Sequence, residues 1–207
     1  MIIRRYRFPA MLKFVFRDAI CRIKDSSEKV YLTFDDGPSR TGTRKIVDTL
    51  KKNNVYDATF FCNGTAMEEY PQSLDTIIKN GFTVANHGYY HIDGWKSKTS
   101  EYFENTLKGF KLCKTGLFRP PYGHIGLRQY LKVRKITKIV FWDLLLYDFD
   151  TGLDKGVILK KAGELIRGGS IIVLHDKENG CSLRLLDELI ALCRQKGYDF
   201  GSLTADA

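Results

Sequence analysis

The 207-residue chain predicts an α/β fold in one domain, with about seven parallel strands of the barrel class. Three observations predict it. Short runs rich in β-branched and aromatic residues alternate with segments of helical period along the chain. The length, with 43% apolar and 28% charged residues, suits a single globular unit and excludes wholesale disorder. Polar residues recur just after the predicted strands, where barrels carry their chemistry.

KVYLTF at 29–34 reads as the first strand, and Ile46, Val47 and Leu50 share one face of a helix over 43–53. ATFFC at 58–62 is the second strand. Leu74, Ile77 and Ile78 mark a helix that Pro71 starts and Gly81 stops. FTVAN at 82–86, a helix within 98–114, LFR at 117–119 and a helix over 125–134 follow. The series closes with KIVFW at 138–142, a helix over 154–167, SIIVLH at 170–175, a helix over 183–196 and YDFGSL at 198–203.

The net charge of +9 is uneven: residues 1–24 hold seven Lys and Arg against Asp18 alone. We therefore divide the chain into a basic N-terminal segment, 1–28, and a catalytic domain, 29–207. From Pro9, a favourable first helical residue, Leu12, Phe16, Ile20 and Ile23 recur at helical spacing beside Lys13, Arg17 and Lys24. Packing of that stripe on the domain is the simpler reading; peripheral contact with an anionic membrane through residues 1–24 is the other. Lys13 and Arg17 interrupt the apolar run a signal peptide needs, and no run approaches a membrane span. With five cysteines and no C-x-x-C pair, the expected location is cytoplasmic. Nucleic acid is not an expected partner, because the charge sits in one segment with no accompanying motif.

Asp35 and Asp36 follow the first strand in T-F-D-D-G-P, and His87 and His91 follow the third in N-H-G-Y-Y-H. Arg119 and Tyr122 lie in R-P-P-Y-G after the fourth, Asp148 in W-D-L-L-L-Y-D-F after the fifth, and His175 ends the sixth in V-L-H-D. In a parallel sheet these positions share one face. Each fragment alone has an ordinary explanation: a tight turn, an incidental histidine pair, a structural ion pair. Five together do not.

In this order the motifs resemble the polysaccharide deacetylase family, carbohydrate esterase family 4, with its NodB-homology domain. The resemblance covers about residues 29–176 and implies a distorted (β/α) barrel of about seven strands. It also implies removal of an N-acetyl group from N-acetylhexosamine units of an acetylated glycan. O-acetyl ester hydrolysis by the same machinery, and a silent carbohydrate-binding homologue, are the alternatives. Such chemistry needs a strong nucleophile at neutral pH, which a Zn²⁺-type ion supplies by lowering the pKa of bound water to about 7. The family assigns Asp36, His87 and His91 to one divalent ion, zinc foremost, with cobalt, nickel and manganese also compatible. By the same resemblance Asp35 is the general base, paired with Arg119, and His175 is the general acid, paired with Asp148. Tyr122 offers its backbone N–H to the oxyanion, and Leu174 walls the acetyl methyl group.

Two positions depart from the pattern. Gly88 stands where the family has Ser or Thr, which predicts a looser metal loop or a substitute brace from Asn86 or a tyrosine. Phe149 replaces a Trp, keeping an apolar wall without an indole donor. Tyr89, Tyr90 and Trp95 form either a sugar-stacking platform or a cover for the barrel end. His124 reads as a surface residue, and Arg128, Lys132, Arg134, Lys135 and Lys138 as a solvated helix face.

Overall fold

The computed structural model describes residues 4–24, 26–113, 115–178 and 180–205. A parallel sheet runs through it in the order β5-β4-β3-β2-β1-β7-β6, with β8 paired to the start of β1. Its strands are β1 (Lys29–Asp35), β2 (Thr59–Cys62), β3 (Thr83–Asn86), β4 (Leu117–Phe118), β5 (Lys138–Ile139), β6 (Leu144–Leu145), β7 (Ile171–His175) and β8 (Asp199–Phe200). All the pairings are parallel, so the carboxyl ends share one rim. The helices are α1 (Ala10–Val15), α2 (Gly42–Lys52), α3 (Gly64–Glu69), α4 (Pro71–Lys79), α5 (Thr99–Phe110), α6 (Leu127–Val133), α7 (Lys155–Leu165) and α8 (Cys181–Gln195). The seven-strand path is of the barrel class that the alternation predicts, curled and distorted as the resemblance implies.

The period-two alternation of the strands separates two interiors. Val30, Leu32 and Phe34 of β1, with Ile172 and Leu174 of β7, face outward into one core with Ile46, Leu50, Ile77, Leu185 and Leu189 of the helices. Tyr31 and Ile171 face inward with Phe61, Ala85, Leu117 and Val140, filling the barrel beneath the rim. The residues left to point inward at the rim are Thr33, Asp35, Val173 and His175. All five cysteines are buried free thiols, and burial pushes Cys113 and Cys193 up to about 12.

Two strands differ from expectation. The run predicted as one strand over 138–142 ends early, and the chain re-enters the sheet as β6. Asp143 lies between, fully buried, bound by Arg7, Arg167 and the Ser170 hydroxyl, and a buried carboxylate so partnered cannot sit in a regular apolar strand. The predicted strand 198–203 shrinks to β8.

β5 and β6 are the edges of an open sheet, and the N-terminal segment laces the seam. The Ile20 N–H donates to the Ile139 carbonyl at 2.8 Å, and the Phe141 N–H donates to the Ile20 carbonyl at 2.8 Å. Farther up the seam, the Leu145 N–H donates to the Tyr6 carbonyl at 2.8 Å. The continuous helix expected from Pro9 to Lys24 is therefore only α1. Phe16 turns inward against Tyr130 and Phe141, with ring centroids 4.8 and 5.4 Å away, and Ile20 is spent on the seam. Phe8 stacks on Phe141 at 4.3 Å. Much of the local charge is also absorbed: Arg4 pairs with Asp150, Arg7 with Asp143, and Arg22 donates to the Gly168 carbonyl.

Removing Phe8 should therefore cost far more than its terminal position suggests. Phe8→Ala should lose about 3 kcal/mol in urea unfolding. Met11→Ala, at an exposed position two residues beyond Pro9, should stay within about 0.5 kcal/mol of the parent.

Candidate active site

Asp35 ends β1 pointing into the barrel, and one Asp35 oxygen accepts from Arg119 Nη1 at 2.6 Å. The same Nη1 donates to Thr33 Oγ1 at 2.7 Å, and Nη2 to the Phe141 carbonyl at 3.1 Å. The guanidinium lies 4.0 Å over the Phe61 ring and is only 1% exposed. Burial draws the Arg119 pKa below its ordinary value, with Asp35 opposing.

The chain bends sharply after Asp35. Asp36 adopts φ 76°, the left-handed region, and so turns away from its neighbour. Gly37 follows because nothing else fits: a Cβ there would lie 2.4 Å from Asp176 Oδ2. Asp176 is itself held under the turn by the hydroxyls of Ser39 and Thr43, at 2.6 and 2.5 Å. Burial pushes Asp176 above the usual carboxylate range, with those two hydrogen bonds tempering it.

The bend carries Asp36 to the histidines. Its Oδ1 lies 3.1 Å from His91 Nε2 and 3.6 Å from His87 Nε2, and Lys177 Nζ is 3.1 Å from its other oxygen. The ligand atoms of Asp36, His87 and His91 all fall within 4.8 Å of one another. His87 Nδ1 donates to the Arg119 carbonyl at 2.8 Å, which orients the ring and turns Nε2 toward the cluster. Burial pushes the Asp36 carboxyl up, but the two imidazoles outweigh it and hold it well below the usual range. One carboxylate and two imidazoles, converging with open space beside them, fit a catalytic divalent ion.

Gly88 does not leave this loop loose. It takes φ 83°, its N–H donates to Asn86 Oδ1 at 2.8 Å, and Asn86 Nδ2 donates to the Thr106 carbonyl at 2.9 Å. Asn105 of α5 adds a second clamp, accepting from the Tyr90 N–H at 2.8 Å and donating to the Tyr90 carbonyl at 2.9 Å. A Cβ on residue 88 would meet Asn105 Nδ2 at 2.8 Å. Asn86 was the brace the sequence suggested. Asn105 was not, although a polar residue on the buried face of an amphipathic helix is a readable signal.

His175 ends β7 opposite Asp35 in register. Its Nδ1 is 2.8 Å from Asp148 Oδ1, and its backbone N–H donates to Asp148 Oδ2 at 2.8 Å. Burial lowers the imidazole pKa, but the charge and hydrogen bond of Asp148, with Asp35 and Asp36 beyond, prevail and raise it above the ordinary histidine value. Phe149 packs edge-on to the ring at 4.9 Å, so the apolar wall expected there is present.

These groups open into one cleft of about 520 Å³. Tyr122, with φ 58°, lies on its wall, its ring 4.3 Å from His91. Trp95 and His124 stack at 3.5 Å on the rim, so His124 belongs to the cleft and not to a remote surface. Tyr89 does not form a platform there: it is buried, and its hydroxyl donates to Glu68 at 2.6 Å. Leu174 is a correction: it faces the outer core and Val173 lines the cleft, because adjacent strand residues point to opposite sides. The basic segment is not remote from the site either, since Arg5, Phe8, Pro9 and Leu12 form one wall. Trp142, missed from sequence, lines the cleft with its indole N–H buried and without a hydrogen-bond partner among the described residues.

Residues 22–137 match the family model described as polysaccharide deacetylase. The chain is 30% identical over 181 residues to the peptidoglycan-N-acetylglucosamine deacetylase PgdA of Listeria monocytogenes, covering 84% of this chain but 38% of that protein's length. It is 33% identical to a peptidoglycan-N-acetylglucosamine deacetylase of Bacillus cereus, covering 84% of this chain and 66% of that one. Among solved structures, the Bc1960 peptidoglycan N-acetylglucosamine deacetylase superposes with a TM-score of 0.84 at 30% identity, covering 93% of this chain and 94% of that one.

Two measurements test the site's geometry. Asp148→Asn should lower the His175 pKa, read by NMR titration of the ring. Because the folded value is raised, its stabilising contribution is present below the unfolded value of about 6.5 and is lost as pH rises through the folded one. The variant's stability deficit should therefore be largest at mildly acidic pH and shrink on the alkaline side. Asn86→Ala should weaken divalent-ion binding about 10–100-fold by calorimetry, through loss of the Gly88 brace.

Proposed function

This chain belongs to the polysaccharide deacetylase family, and from that premise we propose that it is a metal-dependent hydrolase releasing acetate from N-acetylhexosamine units of a glycan. The observation that carries the reading is the divergence of Asp35 and Asp36: one carboxylate joins Arg119, its neighbour joins two histidines, and His175 faces both across the cleft. Asp36, His87 and His91 would hold a divalent ion, which when bound would lower the pKa of a water and polarise the acetyl carbonyl.

The chain's own residues do the rest. Asp35 Oδ takes the proton of the attacking water, and Arg119 fixes that carboxylate's direction. His175, protonated and held by Asp148, gives its proton to the amide nitrogen as the C–N bond breaks. The water oxygen ends in acetate, and the sugar leaves as a free amine. The backbone N–H of Tyr122 is the expected donor to the oxyanion. Val173 and Phe149 supply apolar surface beside the acid, a dry setting that strengthens these interactions.

Acetate release from N-acetylated glycan fragments tests the reading. Activity should vanish with chelator and return with zinc or cobalt. Asp35→Asn should lose about 10²–10⁴-fold in kcat with metal content unchanged, whereas His87→Ala should lose the metal. Wild-type turnover in Asp35→Asn would reject the mechanism.

A further inference from the structure

The helix at the cleft mouth is built the wrong way round for a packing element. No residue of α1 is buried; Met11 is 82% and Phe14 76% exposed, and Leu12 and Val15 are exposed beside them. Exposed apolar side chains scattered singly are ordinary, but four within one six-residue helix form a patch. The helix is not frayed chain, since buried Phe8 and Phe16 pin it on both sides. The apolar stripe that the sequence suggested is thus turned inside out: Phe16 is core, and Met11, Phe14 and Val15 are what the surface presents.

We propose that α1 docks into an anionic lipid surface, inserting Met11, Phe14 and Val15, and so presents the cleft to glycans borne on lipid. Charge selects this occupant. Lys13 and Arg17 are exposed around the apolar face, and the first acidic residue of the chain is Asp18, already paired with Arg134. α6 extends the surface. Its Tyr130 packs against Phe16 with ring centroids 4.8 Å apart and accepts a hydrogen bond from the Asp18 N–H at 3.1 Å. It carries exposed Leu127 and Leu131 with Arg128, Lys135 is exposed just beyond its end, and residues 126–142 contain no acidic side chain. Such a surface attracts anionic headgroups while its apolar residues enter the acyl boundary. A second copy of the chain is a poorer occupant, because it would bring two basic sets face to face. Leu12 and Pro9 belong both to this segment and to the cleft wall, so the docked face and the active site share an edge. The docking stands on exposure and charge alone; the choice of a lipid-borne glycan rests on the deacetylase reading.

Co-sedimentation of the full chain with phosphatidylglycerol–phosphatidylcholine vesicles, against pure phosphatidylcholine, tests the docking. The protein should bind the anionic vesicles, and binding should weaken as salt rises. Phe14→Glu and Met11→Glu should each lower partitioning about tenfold, and Lys13→Glu should weaken it on anionic vesicles. All three should keep the parent urea midpoint. Absence of wild-type binding at low salt, or unchanged binding of Phe14→Glu, overturns the proposal. So does a concentration-dependent dimer abolished by Phe14→Glu without any vesicle binding, which assigns the patch to a second copy. For the substrate, Phe14→Glu should release less acetate from an N-acetylglucosaminyl lipid in vesicles while matching the parent on a soluble N-acetylglucosamine oligomer. Equal rates for parent and variant on both substrates overturn the lipid-borne choice. Acetate from neither substrate with the wild type overturns the deacetylase reading, and the vesicle binding still decides the docking.

Discussion

One buried guanidinium holds the rim together. Arg119 reaches from the end of β4 across the barrel to Asp35 and Thr33 of β1 and to the Phe141 carbonyl beyond β5, while its own carbonyl receives His87 Nδ1. Burying a charge this completely is costly unless it is paired and hydrogen-bonded, so the arrangement tolerates little displacement. The base and the first imidazole are thereby oriented by one residue, and neither can drift without disturbing the other. Arg119 Nε is buried with no hydrogen-bond partner among the described residues, so the guanidinium is held by its two Nη groups.

The second constraint is the open seam. A sheet whose edges, β5 and β6, do not meet leaves backbone groups that must be satisfied elsewhere. Residues 6–23 satisfy them, and in doing so the chain's most basic segment becomes a wall of the active site. The charge concentration read from the sequence is thus structural in part. Arg7, Arg22 and Arg4 are occupied by Asp143, the Gly168 carbonyl and Asp150, while Lys13 of α1 and Arg17 just beyond it are left to solvent.

The strands and the polar residues that follow them were legible because both depend on local pattern: alternation places a side chain, and a strand end places it on the rim. What depended on tertiary partners was not. β6 was hidden because Asp143 reads as an interruption until Arg7 and Arg167 are seen to bind it. The N-terminal helix was overextended because helical spacing cannot reveal that Ile20 will pair with β5. The resemblance puts Leu174 in the cleft, whereas alternation does not: with His175 pointing into the cleft, its immediate neighbour points out. Asn105 acts from α5, so no motif could contain it.

The adjacent carboxylates show how backbone strain becomes chemical differentiation. On a continuing strand Asp36 would point outward into the apolar core that holds Phe34, where a charge has no partner. The left-handed bend at Asp36 keeps both carboxylates on the cleft side but sends them to different neighbours. That bend is uncommon for a residue with a side chain, and it persists because the surroundings overdetermine it. Asp176 sits beneath Gly37, the Asp176 N–H donates to the Asp35 carbonyl at 2.8 Å, and the histidines hold Asp36 at its far end. Two residues of one type, joined by a single peptide bond, thus acquire separate electrostatic environments, Arg119 for one and His87 with His91 for the other. Asp176, fully buried beneath the turn, is for that reason as much a part of the catalytic arrangement as the residues that face the cleft.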